Sequence, residues 1–114
     1  MIYVSITLSV SRKDLQEVLD LLRPAVAMTS TEPGNRSCRL WTEVDAPGNV
    51  LLREEWESPK DVERHFLSSV YRRILAAMEM STVHPEVRFV LPEHVRGIEW
   101  IERARLDGTR APGS

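Results

Sequence analysis

The chain has a single cysteine, Cys38, so no internal disulfide can form, and a reducing compartment suits it. No apolar run is long enough to span a bilayer. The start, Met1-Ile2-Tyr3-Val4-Ser5, lacks the basic residues and apolar stretch of a signal peptide, so a cytoplasmic location is expected. No glycine-rich loop is present to cradle a phosphate or dinucleotide. His65, His84 and His94 are the three histidines, and their spacing matches no metal motif such as H-E-x-x-H, so no metal is expected. Net charge is only -2 with pI near 5.9, which gives no electrostatic reason to expect nucleic acid or an anionic membrane as a partner. What remains is an ordinary globular composition, 42% hydrophobic and 28% charged, in 114 residues, enough for one domain and too few for two. That domain is expected over residues 1–103, with a flexible polar tail over 104–114.

Ile2, Val4, Ile6, Leu8 and Val10 alternate with Tyr3, Ser5, Thr7 and Ser9, the period of a strand with one apolar face. Ser11 then opens a helix, with Asp14 at the capping-box spacing. Leu15, Val18, Leu19, Leu22 and Val26 follow at helical spacing. Pro24 lacks the N–H that would bond back to Asp20, so a kink or an end is expected there. Thr31 to Asn35 is a turn cluster. Cys38, Leu40 and Thr42 begin a hairpin that turns at Asp45-Ala46-Pro47-Gly48-Asn49. The returning strand, Val50 to Glu57, places Val50, Leu52, Glu54 and Trp56 on one side.

Ser58-Pro59-Lys60-Asp61 is the sharpest local signal: a capping hydroxyl, a proline suited to the first helical position, and an acid at the positive helix end. The stripe that follows, Val62, Phe66, Val70, Ile74 and Met78, advances about 40° at each four-residue step. One straight helix would smear it, so a break is expected near Ser68-Ser69. Val87, Phe89 and Leu91 alternate as a further strand, and Gly97 to Arg103 reads as a last one, with Ile98 and Trp100 on one face.

The order β-α-β-β-α-β is the split βαβ arrangement, an α+β ferredoxin-like fold with helices on one face of an antiparallel sheet. Tyr3, Trp41, Leu51 and Ile101 leave apolar surface on the other face, which a second copy packing sheet to sheet would cover.

Glu54-Glu55-Trp56-Glu57-Ser58, the downstream His65, and Glu32-Pro33-Gly34 before the hairpin resemble the antibiotic biosynthesis monooxygenase (ABM) family over roughly residues 1–103. The resemblance implies a homodimeric α+β barrel with a ligand pocket in each subunit, between sheet and helices. It implies a cofactor-free monooxygenase acting on quinols or anthrones, or a haem-degrading enzyme. The haem-degrading branch carries a Trp at the position of His65, an iron-ligating His at Leu75 and an Asn near Ser5, so this chain departs from it at each place. Many quinol-oxidising members carry a second His where Val70 stands, followed here by Tyr71.

Cofactor-free oxygenation requires a substrate that gives an electron to dioxygen once deprotonated. The protein must therefore supply a base, an apolar pocket and donors for the developing oxyanion. His65 is the candidate base, because histidine titrates near neutrality. Trp56 is the aromatic wall of the expected pocket, and replacing His65 is expected to lower turnover with little change in folding. Ser5, Glu54, Phe66, Tyr71 and Ile74 are the expected substrate contacts. Glu54, if buried, needs a partner such as Arg39. The competing function is a non-catalytic dimeric domain that binds a small ligand or a protein partner, since one fold hosts many activities. Trp41 and Trp100 are assigned to sheet packing or the dimer interface, Cys38 to an inert buried thiol, and Arg72-Arg73 to a solvated helix face.

Overall fold

The computed structural model describes residues 1–92 and 98–110. The elements run β1 (Ile2–Ser9), α1 (Leu15–Thr29), β2 (Asn35–Thr42), β3 (Asn49–Trp56), α2 (Pro59–Phe66), α3 (Tyr71–Glu79), β4 (Glu86–Val90) and α4 (Ile98–Arg110). The four strands form one antiparallel sheet in the order β2-β3-β1-β4, the expected ferredoxin-like arrangement. Two strands that are separate in sequence, β1 and β3, sit at its centre.

The alternation in β1 becomes alternation in burial. Ile2, Val4, Ile6 and Leu8 are buried, and the residues between them are only half-buried. They meet Val50, Leu52 and Trp56 of β3, Val18, Leu22 and Ala25 of α1, and Ile74 and Ala77 of α3 in one core. Burying each Val, Leu or Ile among them contributes roughly 1.5–3 kcal/mol relative to leaving it in water.

Helix α1 begins at Leu15, three residues later than a cap at Ser11 would start it. Ser11 and Asp14 do bond, Oγ to Oδ2 at 3.0 Å, but as a turn ahead of the helix. Pro24 does not end α1, which continues to Thr29. Arg73 of α3 explains why. Its guanidinium donates to the carbonyl oxygens of Asp20 (3.2 Å) and Leu21 (3.1 Å). The missing Pro24 N–H leaves the Asp20 oxygen without its helical donor, so Arg73 satisfies that acceptor and adds a second bond to the neighbouring Leu21 oxygen. Arg73 thus ties two helices together and is not a solvated surface charge, as its sequence context had suggested.

The cap at Ser58 forms as expected. Its Oγ accepts from the Asp61 amide at 3.4 Å and donates to Asp61 Oδ2 at 2.8 Å, with Pro59 opening the helix. The break expected near Ser68-Ser69 separates α2 from α3. One strand expectation is overturned: residues from Ile98 onward form helix α4, not a strand, so Ile101 and Trp100 lie on a helix. The described residues of α4 up to Asp107 are exposed. The helix also takes in the first residues of the expected tail. His94, Gly97 and residues 111–114 lie outside the described residues. Among the described residues no helix is long and apolar enough to cross a membrane.

Candidate functional site

Three turns of local chemistry converge under the end of β3. Glu54 and Trp56 are two apart on the strand, so both side chains point to the helix side of the sheet. Proline at the start of α2 sets the helix direction, and His65 then falls on its buried face with Val62. The third element is the Glu32-Pro33-Gly34 turn. Gly34 has φ of +81°, the one positive φ among the described residues, and its carbonyl accepts from the Glu57 amide at 2.8 Å. A Cβ at Gly34 would lie 2.1 Å from Asp61 Cγ, so only glycine lets this turn close on the start of α2. The turn thereby delivers Glu32 to His65.

The result is a buried polar cluster. His65 Nδ1 lies 2.6 Å from Glu32 Oε2, and Nε2 lies 3.3 Å from Glu54 Oε2. Trp56 Nε1 donates to the other oxygen of Glu54 at 2.9 Å. The ring of His65 lies 4.7 Å from that of Trp56 and 5.1 Å, edge to face, from that of Tyr71. Trp56, His65 and Glu54 are respectively 0%, 1% and 2% exposed. Burial works against a charge on His65, but hydrogen bonds and charge from Glu54, then Glu32, outweigh it and raise its pKa above the ordinary 6.5. The cluster therefore favours an imidazolium that donates from both nitrogens and faces two aromatic rings. Tyr71 is also raised, by burial and then by the Glu54 charge, so its phenol is held as a neutral donor.

Sequence reasoning placed four of these residues together, His65, Trp56, Glu54 and Tyr71. Phe66 stands beside Tyr71 at 5.3 Å and against Phe89 at 5.7 Å, on a shallow apolar groove of about 180 Å³ at the α2–β4 edge. Ile74 is 1% exposed and sits in the packed layer with Leu22, Leu52 and Met78, where no water-sized space remains. Ser5 faces the other side of the sheet, because it alternates with the buried Val4 and Ile6. Arg39 does not partner Glu54: it also lies on that other side, opposite Arg53. The polar partner that was missed is Glu32, 33 residues from His65. Its only trace in the sequence was its place before Pro33-Gly34.

Neither Trp56 nor His65 lines the hollows found at the α2–β4 edge, in the packed layer, or on the open sheet face. Among the described residues no group of His, Cys, Asp or Glu side chains is arranged to hold a metal. At His65 the geometric reason is plain, since the two carboxylates bind opposite nitrogens of one ring and do not converge. Cys38 is buried beside Glu54 on the neighbouring strand. Burial, then the charges of Glu54 and Glu32, push its thiol up to about 12 against a small opposing effect of Thr29. His84 is exposed on the loop before β4.

Solved structures share this architecture. A protein from Deinococcus radiodurans, provisionally named an antibiotic biosynthesis monooxygenase, is 20% identical and superposes with a TM-score of 0.77 over 86% of this chain and 98% of that one. A protein from Nitrosomonas europaea with the same provisional name is 17% identical, with a TM-score of 0.75 over 82% of this chain and all (100%) of that one. A Mycobacterium tuberculosis protein is 24% identical, with a TM-score of 0.70 over 85% and 100%. Identities this low speak for the fold alone. No curated protein sequence matches the chain. The family model described as antibiotic biosynthesis monooxygenase matches residues 1–77, which span β1 through most of α3 and so include every member of the His65 cluster. By that match, over more than half its length, the chain belongs to the antibiotic biosynthesis monooxygenase family.

Proposed function

We propose that residues 1–103 act as one ABM-type domain that oxidises a small electron-rich aromatic, quinol-like or anthrone-like, with dioxygen and with no added cofactor. The observation that supports this most is the His65 imidazole held between Glu32 and Glu54 and between the rings of Trp56 and Tyr71. A titratable, oriented base inside an apolar interior is what the chemistry needs. His65 in its neutral form takes a proton from the substrate. The substrate anion passes one electron to dioxygen, and the radical pair joins in a C–O bond. For an anthrone-like CH₂ the hydroperoxide then loses water to leave C=O, so one oxygen atom stays on carbon and the other departs as water. In this reading Tyr71, whose ring lies 5.1 Å from that of His65, supplies its O–H to the developing oxyanion. The assembly is a homodimer with a second copy over the open sheet face, located in the cytoplasm.

A raised pKa makes His65 a stronger base but leaves it less often neutral. Turnover is therefore expected to rise with pH through the His65 titration. The test is oxygen uptake by pure protein supplied with quinols and anthrones. His65→Gln is expected to abolish it, and Tyr71→Phe to lower it about a hundredfold or more, in line with the loss of one oxyanion donor. Because His65 is buried, its replacement also weakens the fold, so circular dichroism must accompany the rates. Wild-type uptake no greater than that of a folded His65→Gln control overturns the oxygenase reading.

The second reading is a non-catalytic dimeric domain that binds a small ligand or a partner. It is favoured by the closure of the cluster, with Trp56 at 0% and His65 at 1% exposure. A ligand that raises the melting temperature without oxygen consumption supports it.

A further inference from the structure

The side chain of His65 is 0% exposed, so bulk water meets neither ring nitrogen. Among the described residues the ring has two hydrogen-bond partners, Glu32 at Nδ1 and Glu54 at Nε2. The other titratable groups nearby are Tyr71 of α3, edge-on at 5.1 Å, and Cys38 of β2, opposite Glu54. While the site stays folded, a proton that enters or leaves the ring therefore passes through one of the two carboxylates.

The carboxylates differ in what lies behind them. The Glu54 side chain is 2% exposed, and both its oxygens are engaged, Oε1 by the Trp56 indole and Oε2 by His65. An indole N–H only donates, so Glu54 leads to no onward acceptor. The Glu32 side chain is 19% exposed. Its Oε2 faces Nδ1, and its Oε1 has no protein partner among the described residues. Thr29 Oγ1 is the sole buried side-chain atom without a partner among those residues, so Glu32 Oε1 meets solvent. The backbone aims this side chain. The Glu32 amide donates to the Thr29 carbonyl at 3.0 Å, and the Glu32 carbonyl accepts from the Asn35 amide at 3.1 Å. Glu32 reaches the ring from the helix side, opposite the face assigned to a second copy.

We infer that Glu32 is the proton relay between the buried His65 ring and solvent. The charged imidazole gives its Nδ1 proton to Glu32 Oε2: the N–H bond breaks, its electron pair stays on nitrogen, and an O–H bond forms. Rotation of the carboxyl group turns that proton outward, and water takes it, which restores the carboxylate. The neutral ring keeps its Nε2 proton, donated to Glu54. The reverse sequence charges the ring. The Nδ1–Glu32 separation of 2.6 Å is at the short end of charge-assisted bonds, about 2.7–2.9 Å, whereas the Nε2–Glu54 separation of 3.3 Å lies beyond them. Glu32 acts through His65, as a positioning residue. In the oxygenase reading the relay decides whether His65 meets the substrate in its neutral form. Only that use rests on the reading; the relay itself is a property of the folded chain.

Heteronuclear NMR of the labelled, substrate-free protein tests this at a pH where His65 is charged and both ring protons are present. The Nδ1 proton is expected to exchange with water at least tenfold faster than the Nε2 proton of the same ring, a comparison that needs no variant. Glu32→Gln keeps an acceptor for Nδ1 but cannot relay a proton, and is expected to slow Nδ1 exchange tenfold or more. Glu32→Asp retains a carboxylate and is expected to slow it less. Glu54→Gln is expected to leave it within threefold of wild type. Burial opposes the charge on His65, while Glu54 and then Glu32 favour it, so both Gln variants lower its pKa and are compared at equal degrees of protonation. Backbone amide exchange in α2 reports opening of the site. Equal lifetimes for the two ring protons, unchanged exchange in Glu32→Gln, equal slowing in Glu54→Gln, or ring exchange no faster than α2 opening overturns the proposal. No substrate enters these measurements, so a failed oxygen-uptake assay bears only on the oxygenase reading.

Discussion

Trp56 Nε1 donates to Glu54 Oε1 at 2.9 Å, although the two residues belong to the same strand and are only two positions apart. Side chains at that spacing share a face, and here one supplies the donor that the other's buried carboxylate requires. Glu54 then has its second oxygen free for His65. A buried carboxylate without such partners would be costly, so the indole is part of what keeps this glutamate in the interior.

The His65 cluster makes folding pH-dependent, with a definite sign. The folded-state pKa is raised above 6.5. The stabilisation is therefore complete below the unfolded value of about 6.5 and is lost as pH rises through the raised folded value. The urea midpoint of the wild type is expected to fall across that window. The same series on His65→Gln should lack this component of the slope; an identical slope in the variant would show that other groups are responsible.

Glu54→Gln keeps an oxygen for the Trp56 indole but removes the charge that faces His65. The His65 titration, followed by the imidazole proton resonances, is expected to move to lower pH. The Cys38 and Tyr71 pKa values are expected to fall as well, since the Glu54 charge helps to raise both. A His65 midpoint unchanged from wild type would mean that Glu32 alone sustains the cation.

Cys38 is expected to be inert to thiol reagents in the folded protein. With its pKa near 12, its thiolate fraction at pH 8 is smaller than that of a free cysteine of pKa about 8.5 by roughly three orders of magnitude. Burial slows access further. The rate of reaction with a maleimide, measured with and without urea, checks this. Equal rates would place the thiol at the surface.

Gly34→Ala is expected to destabilise the fold by at least about 1–2 kcal/mol, the cost of a left-handed backbone for an L-residue. The clash with Asp61 adds to that figure. Because the turn carries Glu32, the His65 titration should shift along with the urea midpoint. A midpoint within error of wild type would show that the turn relaxes freely.

The sheet was legible because its information is local. Alternation in Ile2 to Val10 and in Val50 to Trp56 states which side chains share a face, and the core follows from that. The cap at Ser58 was legible for the same reason, since all its atoms lie within three residues of one another. Arg73 was misread because its partners, the Asp20 and Leu21 carbonyls, are more than fifty residues away in sequence. Ser5, expected as a substrate contact, lies on the opposite side of the sheet from the His65 cluster, as its alternation with Val4 and Ile6 requires. The C-terminal strand failed because Ile98 and Trp100 alone are too short a pattern to fix a period; two apart, they would share a strand face, but they point to nearly opposite sides of the helix that forms.

Sequence alone determined the order of elements through β4, the apolar face of the sheet, and the residues His65, Trp56, Glu54 and Tyr71 as one neighbourhood. Tertiary structure decided that Glu32 completes that neighbourhood, that Trp56, His65 and Glu54 are closed to water, and that two arginines face each other on the opposite side. The physical reason is range. Periodicity and capping are properties of adjacent residues, whereas register and turn geometry set the distance between charges that the chain holds far apart.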